Sequence, residues 1–529
     1  MSSLTENRMI GIALFFGLGI FAALFAAGFW LTDGAFSYPL DDTYIHLSMG
    51  EQIASGRYGI NPTEYASADS SILYPVLLAP FSGTGFHEYL PLILNVFALA
   101  VALVLVAKSV AESGLLSAPN GKWISVVVVL LAPIALNFQG LSLLGMEHML
   151  HVDTALMALL GLLRMQKTGR LNGLLVAAIL LGPVLRYEAL GLSLVLCLAV
   201  LWMGHWKAGI LLTIGALGPV IGFGLWMKSV GMAFLPYSVM AKATIVEIDE
   251  SVFWTILGHN FAPDGAPLFA ALVIMVSLGF LFVAFSGRPR FAQNYRVLAF
   301  VAGSMGIGHA FLGKFGWANR YEIYAISFLG MAALVMLTPL MATKTRAAAL
   351  TKMAAVGVML FGFAHYIGFT AVWAINGPAN IYNQQWQMSE ILDTFEGGPV
   401  LVNDIGLVSY QSDTKIVDIF GLASIDALNA RRDHARKGWL NQLAIKEHAG
   451  MAMMYDPWFE RDLGPGWTPI AYLDLTAPAV FLSPRVTIYA TRDDMIAPIR
   501  ALLMAQEPKL PRFASFEFID TAPQLEESQ

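Results

Sequence analysis

The sequence predicts a polytopic α-helical membrane protein with about eleven transmembrane helices, followed by a soluble α/β domain. Three observations carry that prediction. The 529 residues are 57% hydrophobic and only 13% charged, where a water-soluble chain carries about 25% charged residues. Too little polar surface is left to cover a water-exposed exterior, and the mean hydropathy is +0.63. Long apolar runs recur up to residue 376, and from 377 onward short strand-like runs alternate with polar helical stretches.

The first run, Ile10 to Leu31, follows Arg8. It supplies the ~20 helical residues that a hydrocarbon core requires. It reads as an uncleaved signal anchor, because a cleavable signal peptide has an apolar core of about 7–15 residues. Further runs lie near 89–111, 123–138, 149–164, 173–185, 189–203, 209–228, 266–286, 297–312, 321–340 and 353–376. Residues 173–203 read as two short helices turning at Arg186-Tyr187-Glu188, not as one long helix kinked at Pro183. Each is shorter than a straight span, which leaves room for a cavity at the end where they turn.

The loop charges support this count. One set of loops holds Lys122, Arg164, Lys167, Arg170, Lys207, Arg288, Arg290, Arg296, Lys344, Arg346 and Lys352, and is cytoplasmic by the positive-inside rule. A single helix over 173–203 would move Arg288, Arg290 and Arg296 to the opposite side and destroy the separation. The opposite set, rich in Asp and Glu, faces outward, with long loops at 32–88 and 229–265. The expected division is a transmembrane module over 1–376 and an extracytoplasmic domain over 377–529, in which VLVN (400–403), KIVDIF (415–420) and RVTIYA (485–490) are strands.

Composition also excludes functions. The net charge is -6, with no block of Lys and Arg, so no nucleic-acid face is expected. Cys197 is the sole cysteine, which rules out an intramolecular disulfide and Cys-rich metal or iron–sulfur sites.

The residues that can carry chemistry gather on the outward side. Asp41 and Asp42 open the first long loop. Adjacent carboxylates repel, so one of them can be a proton acceptor near neutral pH. The alternatives are that one Asp caps the amphipathic helix over 43–55, or that the pair holds a hard cation, for which the sequence offers no clear ligand set. Charged residues at membrane depth are functional candidates by default. Arg186, Glu188, Glu147, Arg320 and Glu322 qualify, with mutual ion pairing as the alternative. Lys242 adds a third cation beside Arg186 and Arg320, a set that suits a lipid phosphate. His46, His148, His151 and His309 lie near the same level without the i,i+4 spacing of a helical metal pair, and His309 reads as an ordinary bundle histidine.

LDDTYIHLSMGEQIASGRYGINP (40–62), LLGMEH (143–148), VLRYEAL (184–190), PYSVMAKA (236–243), GKFGWANRYEIY (313–324) and VNDIGLVSYQSDTKIVDIFGL (402–422) occur in that order. The ordered set resembles the GT-C superfamily of membrane glycosyltransferases. Its nearest pattern is that of the actinobacterial terminal arabinofuranosyltransferases and mannosyltransferase-like membrane proteins. The chain departs from that pattern at Tyr187, His148 and SADSS (67–71). These departures bear on the identity of the sugar more than on the reaction type.

The resemblance implies an inverting transfer from a polyprenyl-phosphate sugar donor to a glycan, lipid or cell-envelope acceptor at the outer face of the bacterial cytoplasmic membrane. It implies that Asp41, supported by Asp42, is the base. Arg186, Lys242 and Arg320 would bind the donor phosphate, and Tyr44, His46, Glu147, Glu188 and Tyr321 would line the substrate pocket. No cofactor beyond the lipid-linked donor is implied and a divalent metal is not expected. The alternative function is a transporter or flippase of a lipid-linked sugar.

Overall fold

The computed structural model describes residues 2–118, 120–242, 260, 267–286, 289–341, 343–432, 437–480 and 483–520. Helix α1 (Ser2–Leu31) leads into the first loop, which carries α2 (Asp42–Ala54). The bundle continues with α3 (Leu90–Glu112), α4 (Gly121–Ala135), α5 (His148–Thr168), α6 (Gly173–Leu185), α7 (Ala189–Trp202) and α8 (Trp206–Ser229). It closes with α9 (Pro267–Phe285), α10 (Pro289–Leu312), α11 (Ile323–Met341) and α12 (Arg346–Asn383). Without α2, these are eleven apolar helices among the described residues. Seven helical stretches there are long and apolar enough to cross a membrane, whereas α4, α6 and α7 are shorter.

The short pair α6 and α7 forms as its sequence dictates. Asn172 caps α6 by accepting the Leu175 N–H at 3.2 Å. Pro183 weakens its last turn, and Arg186 leaves the helix in an extended conformation (φ -147°, ψ 132°). The chain then turns directly into α7, so Arg186 and Glu188 stand at the mouth between two short helices.

Helix α12 runs on through residue 377, where the sequence had suggested a new domain, and the sheet begins at Val400. Its strands are β1 (Val400–Val402), β2 (Ile416–Asp418), β3 (Met451–Met454), β4 (Thr468–Leu475), β5 (Arg485–Ala490) and β6 (Ala514–Phe518). Their order is β2-β1-β3-β5-β4-β6, parallel from β2 to β3 and antiparallel beyond.

One apolar cluster joins the sheet to the bundle. Ile45, Met49, Tyr58, Ile60 and Ala68 of the first loop pack in the same buried core as Val400, Val402, Met451 and Ile488. The first loop is therefore clasped between bundle and sheet, and burial of its apolar side chains fixes where its acidic residues point.

Candidate active site

Asp41 and Asp42 are adjacent in sequence and face opposite partners. The Asp41 side chain makes no capping bond to α2. Its Oδ2 instead accepts the Gly406 N–H at 2.6 Å and its Oδ1 the Leu407 N–H at 2.8 Å, at the start of the helix Gly406–Gln411 in the sheet domain. Gly406 is required there, because a side chain would collide with the Asp41 carbonyl. Burial, and then the nearby Asp404 carboxyl, push the Asp41 pKa up to about 8. The same burial raises Asp404, although the Tyr455 hydroxyl (2.8 Å) and the Gln385 amide (2.7 Å) donate to it. Capping is thus the right chemistry for Asp41, directed at a helix that starts 365 residues away in sequence.

Asp42 turns to the bundle, where its Oδ2 accepts from Arg320 Nη2 at 2.5 Å. Arg320 is 2% exposed and also donates to the Tyr321 hydroxyl at 3.1 Å and to the Met146 sulfur at 2.9 Å. Glu322 pairs elsewhere, accepting from the Tyr366 hydroxyl and the Gly316 N–H.

Arg186 centres a second group of charges. Its Nε and Nη2 fork onto Glu188 at 3.1 and 2.5 Å, while Nη1 donates to Glu147 at 2.6 Å and to Ser70 at 3.0 Å. Behind Glu147, at 3.0 Å, stands His46 Nε2, close enough for an ion pair. On the other side of the ring, His46 Nδ1 meets Asp69 at 2.7 Å. Burial alone would lower the His46 pKa. The two carboxylates outweigh it and push the imidazole up to about 10. The two arginine groups meet at Tyr321, whose ring centroid is 5.7 Å from the Arg186 guanidinium carbon and 5.1 Å from that of Arg320.

A cavity of about 470 Å³ opens beside Tyr321. Arg186, Tyr187, Glu188, Lys314 and Tyr321 line it together with Leu190, Leu192, Leu194, Val195, Met305 and Leu312. Cations in the wall of a largely apolar cavity suit an amphiphile with an anionic head.

The structure thus brings together Asp42, Arg320, Tyr321, Arg186, Glu188, Glu147 and His46. It does not place Tyr44 with them. The Tyr44 hydroxyl accepts the Tyr38 N–H at 3.1 Å and its ring is buried in the cluster of Tyr38, Leu47 and Tyr74, because α2 turns that face away from the cavity. Lys242 ends the short helix Tyr237–Lys242, and its side chain lies outside the described residues, as does nearly all of 243–266. Lys314 was not singled out from the sequence. Its only signal was its place six residues before Arg320 in a loop between two spans. His309, read as an ordinary bundle residue, also lines the cavity. Among the described residues no group of three or more His, Cys, Asp or Glu is arranged to hold a metal ion.

Residues 379–490 match the family described as Domain of unknown function (DUF8728). No curated protein matches the sequence. The crystal structure of the Archaeoglobus fulgidus oligosaccharyltransferase in the apo form is similar with a TM-score of 0.50 and 11% identity, over 93% of this chain and 74% of that one. ArnT from Cupriavidus metallidurans is also similar, at 13% identity and a TM-score of 0.46 in the apo state, and at 14% and 0.47 bound to undecaprenyl phosphate. Each ArnT match covers 90% of this chain and 98% of that one. The likeness is one of fold, a helical bundle followed by a C-terminal sheet domain.

Proposed function

We propose that this chain is an inverting glycosyltransferase that moves a sugar from a polyprenyl-phosphate donor to a glycan, lipid or cell-envelope acceptor. The observation that carries the reading is the chain of contacts from Asp42 through Arg320 and Tyr321 to Arg186, the last two of which line a largely apolar cavity. The GT-C-like fold and the ordered motifs support it, with the terminal arabinofuranosyltransferase group as the nearest sequence pattern.

In this reading the prenyl chain lies along the leucine-lined length of the cavity and the phosphate sits at Arg186 and Lys314. Asp42, oriented by Arg320, takes the proton from an acceptor hydroxyl. The acceptor oxygen then bonds to the anomeric carbon as the bond from that carbon to the phosphate oxygen breaks. Polyprenyl phosphate leaves with the electron pair, and a single displacement inverts the centre. Phosphate needs no proton to depart, so one carboxylate suffices where hydrolytic inversion uses two. The cations stabilise the charge gathering on the phosphate. Asp41 anchors the sheet domain in place of serving as the base.

The proposed setting is the outer face of a bacterial cytoplasmic membrane, with the amino terminus cytoplasmic and the sheet domain outside. The direct test is transfer by the purified protein from labelled polyprenyl-phosphate sugars, read as release of polyprenyl phosphate with an inverted product linkage. Folded protein that moves the lipid across a bilayer but transfers no sugar would establish the transporter instead. Reporter fusions after residues 290 and 380 should report opposite compartments, and equal signals would reject the topology.

A further inference from the structure

Arg186 has five N–H donors, and in this structure side chains occupy four of them. Nε and Nη2 go to the two oxygens of Glu188, and Nη1 goes to Glu147 and Ser70. Two carboxylates thus take up the donors of Arg186 that a phosphate would need. The two carboxylates are not equivalent. Glu147 is fully buried and is held from behind by His46, itself paired to Asp69. The Glu188 side chain is 33% exposed, lines the cavity, and meets Arg186 in the parallel fork that a phosphate also uses.

We propose that Glu188 occupies the phosphate seat on Arg186 when the donor is absent and gives it up when the donor binds. The inference rests on the reading of the cavity as a lipid-phosphate site and assigns Glu188 a place in its regulation. The exchange conserves the bonding: two charge-assisted bonds from Nε and Nη2 to a carboxylate become two to a phosphate, and Glu188 swings off the fork. Glu147, clamped by His46, stays and keeps the guanidinium aimed. After transfer the same carboxylate competes with the departing polyprenyl phosphate for the fork, which speeds its release. A site that is mostly self-occupied binds its ligand more weakly in proportion to the fraction that is vacant, so removing Glu188 should strengthen binding. A bracing role, in which Glu188 holds Arg186 in place for the phosphate, predicts the opposite sign.

The experiment measures binding of a polyprenyl monophosphate, and of the corresponding polyprenol as control, to the full-length protein in nanodiscs. Wild type is compared with Glu188→Gln, Glu188→Ala and Glu188→Asp, with thermal melting on each. The neutral variants should bind the phosphate lipid about tenfold more tightly, with polyprenol binding unchanged, and in turnover assays kcat and KM should fall together. Glu188→Asp keeps the charge on a shorter arm and should tighten binding by a smaller factor. It also decides the matter if the neutral variants do not fold. Equal or weaker phosphate-lipid binding in the folded variants would overturn the proposal and leave Glu188 as a brace. Wild type that does not distinguish the phosphate lipid from polyprenol would overturn the lipid-phosphate reading itself.

Discussion

The two faces of the first loop are built from the same residue types and behave differently. Toward the sheet domain, Asp41 caps the helix at Gly406, and Asn61 pairs with the backbone of edge strand β2, giving to the Ile416 carbonyl at 2.8 Å and taking its N–H at 2.9 Å. Toward the bundle, Asp42, His46 and Asp69 meet charged side chains, directly or through Glu147. The first face joins side chains to backbone, so each bond holds one chain segment against another. The second joins charge to charge beside a cavity, where a ligand can enter the exchange. Adjacent carboxylates can therefore differ in kind, depending on whether the group opposite is an amide or a guanidinium.

The largest effect that can break this comparison is on turnover. Asp42→Asn removes basicity and preserves shape, and should lower transfer about 10²–10⁴-fold with donor binding retained. Asp41→Asn should stay within a few-fold of wild type in the same membranes. Matched rate assays decide, and a loss confined to Asp41→Asn would exchange the two roles. Next is Arg320→Ala, expected to cost about 10²–10³-fold in kcat. Arg320→Lys should restore only part of that, since an ammonium cannot reproduce the fork to Asp42 and Tyr321. Full activity in both would reduce Arg320 to a structural ion pair.

Stability reads the other face. Asp41→Ala leaves two buried amides without an acceptor and should destabilise domain docking by about 1–3 kcal/mol, visible as earlier proteolytic release of the sheet domain. The pH dependence has a definite sign. Folded Asp41 holds its proton up to about pH 8, whereas an unfolded aspartate loses it near ~3.9. Docking is therefore strongest below the unfolded value and weakens as pH rises toward the folded one. Asp404→Asn should flatten the profile, and an unchanged profile would show that the two carboxyls are not coupled. The smallest effect is Asn61→Ala, about 1 kcal/mol from the lost edge pairing, with turnover unchanged.

Periodicity and hydropathy were enough to read the bundle. Eleven apolar runs became eleven apolar helices, and the short pair around Arg186 was legible because neither run has the length of a span. The strands at 400, 416 and 485 were legible from their apolar content. The domain boundary was not, since α12 carries its helical pattern through residue 377 without a break.

The sequence by itself determined which side chains are charged at the ends of the spans, because a bilayer makes each such charge expensive and therefore conspicuous. Only the tertiary structure decided their partners. Asp41 and Asp42 share every local signal and diverge because α2 sits between two bodies, and the partner of Asp41 lies 365 residues away. Tyr44 was expected in the pocket and is packed away from it, because it stands two residues from both Asp42 and His46 on α2, and helix residues two apart do not share a face. Lys314 reached the cavity unannounced because it lies in a loop, where no periodicity signals direction. Position along the chain sets chemistry and depth, while direction in space follows from packing that links distant segments.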